Sequence, residues 1–172
     1  MNYEKLNSRL TAILDKSCYN RQEQEMSEHN SDFARLMSGK FYGVLQWADL
    51  DVLWGRVRAA PQGWYAALTG QEPPETAMSA DELMKFVREI DILLRREHEH
   101  DYCGVVYVDD PANPQLIKIF DPHNMGTGCR VGGAPIPPQW VLSRDKPERM
   151  ANDIPLTGSR RRWWQKLFGQ SS

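Results

Sequence analysis

The sequence predicts an α+β domain in which about four helices pack on one face of a small antiparallel or mixed sheet. Three to five strands make that sheet, and a flexible C-terminal tail follows it. Three observations carry the prediction. Segments with apolar residues at steps of three and four dominate the first half of the chain. Short β-rich runs follow, of which only one pair is joined by a clear hairpin. That order, helices mostly before strands, does not fit a doubly wound parallel sheet.

The first helix is expected over residues 3–17, where Tyr3, Leu6, Leu10, Ile13 and Leu14 form one stripe. A polar stretch to Asn30 separates it from a short helix capped by Asn30 or Ser31, with Phe33, Leu36 and Met37 inward and Gly39 as its stop. The stretch from Phe41 to Trp47 fits neither period. Leu50, Leu53, Trp54 and Val57 mark the next helix, which ends before Pro61. A first strand is expected over 63–68, and a proline-containing loop over 70–77.

Ser79 opens the strongest helix. Its side chain and that of Glu82 can each accept from the other residue's free amide, a capping box. Leu83, Phe86, Val87, Ile90, Leu93 and Leu94 then line one face. Strands at 105–108 and 116–120 flank Asp109-Asp110-Pro111-Ala112-Asn113-Pro114, a hairpin loop in which the two aspartates make turn bonds rather than acid–base chemistry. A last strand is expected over 139–142. Trp54, Trp64 and Trp140 fall on these elements and are expected in the core.

Composition narrows the class. The 172 residues are 41% hydrophobic, 10% aromatic and 26% charged, too apolar for a chain disordered throughout. The longest run of large apolar residues is Val105 to Val108, whereas a membrane span needs roughly 20. The opening Met1-Asn2-Tyr3-Glu4-Lys5 lacks the basic and apolar regions of a secretion signal, so a cytoplasmic protein with reduced Cys18, Cys103 and Cys129 is expected. Net charge is −2, which argues against a nucleic-acid binder. Charge is unevenly spread: residues 1–150 hold 17 basic and 22 acidic side chains, net −5, and residues 151–172 hold 4 basic and 1 acidic, net +3.

Two regions are candidate sites. The loop from Asp121 to Pro138 gathers His123, Asn124, Gly126, Gly128, Cys129 and Arg130. Glycines allow close backbone approach to a ligand, but no phosphate-binding fingerprint is present. Cys129, His123 and Asp121 are the residue types of a thiol nucleophile, its base and an orienting acid, and Arg130 would favour the thiolate. Cys103, His123 and Cys129 flank the hairpin strands and could supply zinc ligands, with His98, His100 and Asp101 close by in sequence. A small thiol or metal enzyme is therefore one reading. The plainer reading is an ordered crossover, histidines solvated at a helix end, and Cys103 as a small core residue.

The second region is Arg160-Arg161-Arg162-Trp163-Trp164-Gln165-Lys166-Leu167-Phe168. As a helix it places Trp163, Trp164, Leu167 and Phe168 on one face, flanked by Arg160, Arg161 and Lys166. So short a helix is unstable alone and must dock on something. The candidates are the chain's own body, a protein partner, or an anionic membrane surface. The expected organisation is a domain over 1–145, a flexible linker over 146–159, and a docking segment over 160–169. The leading functional reading is a non-enzymatic cytoplasmic adaptor or regulatory binding protein, without a cofactor, whose tail docks in a partner's groove. On that reading, deleting residues 159–172 leaves the thermal melt nearly unchanged.

Overall fold

A computed structural model describes residues 31–125, 136–152 and 154–169. The helix expected over 3–17 lies outside them. The described chain forms a five-stranded antiparallel sheet and five helices. In chain order these are α1 (Asp32–Ser38), β1 (Tyr42–Val44), α2 (Trp47–Ala59), β2 (Tyr65–Leu68), α3 (Ala80–Glu97), β3 (Val106–Val108), β4 (Leu116–Ile119), α4 (Pro122–Met125), β5 (Trp140–Ser143) and α5 (Gly158–Phe168).

The strand order is β1-β3-β4-β5-β2, with every neighbouring pair antiparallel. The β3–β4 hairpin is closed by its turn acids: Asp109 accepts from the amides of Gln115 and Leu116, and Asp110 from that of Ala112. The uncertain stretch from Phe41 to Trp47 divides. Tyr42–Val44 becomes an edge strand because it pairs with Val106–Val108, and α2 starts at Trp47, one turn earlier than the apolar period indicated.

Strand alternation sends two apolar sets to opposite faces. On one face Val44, Leu68, Val106, Ile119 and Trp140 meet α2 and α3, which bury Leu50, Trp54, Val57, Phe86, Ile90 and Leu94. Trp54, Trp64 and Trp140 are all essentially sealed. On the reverse face Leu116 and Val141 meet Phe33 of α1, and Lys118 donates to the Met37 carbonyl at 2.7 Å. The helices therefore do not all lie on one face. Both odd and even positions of β4 and β5 are apolar, so both faces of the sheet need a cover, and α1 supplies the second.

The capping box at Ser79 and Glu82 forms in full. Trp54 of α2 donates its indole N–H to Asp91 of α3, and Arg95 binds the same carboxylate and Asp51, tying the two helices together.

Candidate functional site

The basic aromatic segment is α5, and it lies on the body of its own chain. Thr157 caps it by accepting the Arg160 amide on its hydroxyl. Trp163 packs edge-on against Trp140, with ring centroids 5.5 Å apart. Trp164 meets the ring of Phe86 at 6.4 Å, and Phe168 meets it at 6.0 Å. Trp164 and Phe168 also touch each other at 4.5 Å. Together with Leu167 and Leu156 they are half-buried against the main core. Of the three candidate docking places, the chain's own body is the one on which these side chains lie, not the groove of a partner that the leading reading expected. Phe86 and Trp140 offer an aromatic ledge that the segment completes.

Arg160 fixes the position of the helix. It is 6% exposed and donates from Nε and Nη2 to the two carboxylate oxygens of Asp121, each at 2.8 Å. Nη2 also bonds Glu97, and the guanidinium lies 5.8 Å from the centroid of the Trp140 ring. A bidentate pair with a buried carboxylate supplies both charge compensation and direction. The Arg160 hydrogen bond holds the Glu97 carboxyl down at about 2, against a desolvation effect in the other direction. Burial alone would weaken the Arg160 charge, but the bonds to Asp121 and Glu97 overcome it and hold the proton more firmly. At the other end of α5, the Lys85 ammonium donates to the terminal carbonyls of Lys166 and Leu167 at 3.3 and 3.5 Å, the favourable place for a cation.

This arrangement divides the segment. Arg160, Trp163, Trp164, Leu167 and Phe168 face the body, whereas Arg161, Arg162 and Lys166 are exposed, and among the described residues none of those three makes an ion pair. Sequence reasoning placed Arg160 on the flank. Its spacing of three, four, seven and eight from the four apolar residues puts it on their face, and a cation there requires a buried acid. That periodicity was the available signal for the Asp121 pairing. Nothing local pointed to Lys85.

Of the thiol and metal candidates, Cys103, Asp121 and His123 fall among the described residues. Cys103 is fully buried, and burial raises its thiol pKa, the opposite of an activated nucleophile. Asp121, proposed to orient His123, has both carboxylate oxygens on Arg160, and one of them also accepts the His123 backbone amide at 3.0 Å. The His123 side chain is exposed, and Asn124 joins the same turn through its backbone amide to the Asp121 carbonyl. Gly126, Gly128, Cys129 and Arg130 lie outside the described residues. Among the described residues, no three His, Cys, Asp or Glu side chains gather as a metal site, and no helix is long and apolar enough to cross a membrane.

With this geometry in hand, the chain can be set beside known proteins. An uncharacterized protein of Aquifex aeolicus (strain VF5) is 27% identical over 97 residues, 54% of this chain and 76% of that protein. No protein-family model and no solved structure matches the chain.

Proposed function

We propose that this protein is a non-enzymatic binding protein that captures an acidic protein partner on the outer face of α5. One observation carries the reading. The aromatic face of the helix is spent on its own body, which leaves Arg161, Arg162 and Lys166 displayed on a scaffold that Arg160 holds in place. Three exposed cations on a docked helix, none of them ion-paired among the described residues, stand against a net-acidic body and form a local field that steers an acidic surface and sets its orientation. The docking mode thus differs from capture of Trp163 and Trp164 in a partner's groove. An anionic membrane would meet the same cations but not the aromatic wedge that deepens interfacial binding.

The test is a triple charge reversal, R161E/R162E/K166E, compared with the parent protein in affinity purification from native extract. All three side chains are exposed, so the thermal melt should stay within a few degrees. The expected outcome is loss of a reproducibly enriched acidic protein. Retention of the same partner by the variant, or binding of the parent protein only to anionic vesicles, overturns the proposal.

A further inference from the structure

The two edges of the sheet are unlike. At β2, Ala66, Ala67 and Leu68 are buried, and flanking chain closes the edge: Met78 N–H donates to the Trp64 carbonyl and Gly70 N–H to that of Met150. At β1, Tyr42 is 47% exposed and Gly43 is also exposed, and among the described residues the outer side of this strand has no partner strand. Such an edge is a template for one more strand.

The helix beside that edge carries a matching surface. Asp49, Val52 and Arg56 are exposed along one face of α2, at steps of three and four. Val52 is 52% exposed, and Leu45, between β1 and α2, is 61% exposed. Together β1 and α2 border one groove of about 350 Å³, floored by Leu53 and Val108 and closed at one end by Pro111. Arg56 donates to the Pro111 carbonyl at 2.5 Å and keeps its other donors for a carboxylate.

The pattern is self-complementary. A two-fold axis that sets Val52 against Val52 of a second copy runs the two α2 helices antiparallel. Asp49 and Arg56 lie on either side of Val52, so each acid then meets the arginine of the other copy, twice over. At the centre of β1, Gly43 is exposed and carries no side chain to obstruct a second β1 strand that approaches antiparallel. We propose that β1 and α2 form the interface of a symmetric homodimer in which the sheets of two copies join edge to edge.

Sedimentation equilibrium of the full chain up to about 100 µM tests this. The expected result is a dimer that Val52→Asp converts to a monomer, with a melt equal to that of the parent at concentrations low enough to dissociate it, since Val52 is 52% exposed in its own chain. Asp49→Arg and Arg56→Asp should each weaken the dimer by about tenfold or more, and the double swap should restore it. A monomer at every concentration overturns the proposal. So does a dimer indifferent to Val52→Asp, or a double swap without rescue. A monomer whose residues 1–30 resist protease until Val52→Asp exposes them assigns the groove to the chain's own N-terminal segment and also overturns it.

Discussion

Arg160 decides where the C-terminal segment lies, because a guanidinium 6% exposed must have its charge answered. Asp121 is 3% exposed and does so with both oxygens; Glu97 is more accessible and adds a second acid. Arg160→Met removes the cation and leaves the Asp121 carboxylate buried without its partner. The cost is expected to be about 3 kcal/mol, read as a lower urea midpoint in a two-state fit. The pair also imposes a pH dependence of definite sign. Glu97 titrates near 2 in the folded chain against 4.5 ordinarily, so the unfolded chain binds its proton first as pH falls. The stabilisation is complete above about pH 4.5 and is lost on descending toward 2. Glu97→Gln should flatten that limb of the melting curve, and an unchanged acid limb would place the effect elsewhere. His98 adds a contribution at higher pH. Burial, followed by the His100 charge 4.8 Å away between ring centroids, lowers its pKa, so stability also declines as pH falls below the ordinary histidine value.

Among the elements, α3 and α5 show what local sequence does and does not reveal. Helix α3 was legible throughout, since its capping box, apolar stripe and basic last turn all lie within the segment itself. β1 was not, because three residues carry too little alternation and are made a strand by partners more than sixty positions away. The side of the sheet that each helix covers was equally hidden, since apolar residues on both faces of β4 leave the choice to long-range packing. An amphipathic segment such as α5 presents the same stripe whether it seats on its own chain or on a partner. Only the inward position of Arg160, matched with the buried acid Asp121, distinguished them. The structure accordingly reverses the expectation for truncation. Removing residues 159–172 uncovers Phe86 and Trp140 and orphans Asp121, so the melting temperature should fall by roughly 5–10 °C. A melt unchanged by the truncation would mean that the docked helix contributes nothing to the body.

For the whole molecule, the docking of α5 is shallower than the rest of the fold. Six side chains of α3 are sealed, whereas Trp163, Trp164, Leu167 and Phe168 are half-buried and Arg160 alone goes deep. Local opening free energy follows buried apolar contact, so α5 should open well below the energy of global unfolding. The geometry also states what opens with it. Asp121 receives the Arg160 guanidinium on both carboxylate oxygens, the His123 amide on one of them, and the Asn124 amide on its carbonyl. Release of the arginine therefore loosens the turn at Asp121 that leads into α4. Native-state hydrogen exchange should show the α5 amides and those of His123 and Asn124 exchanging in one step, ahead of the α3 amides and the β4–β5 ladder. Arg160→Met should lower the free energy of that step while leaving the α3 amides at the global limit of the variant. If the α5 amides instead exchange only with global unfolding, the helix is an inseparable part of the core and the Asp121 turn is not coupled to its release.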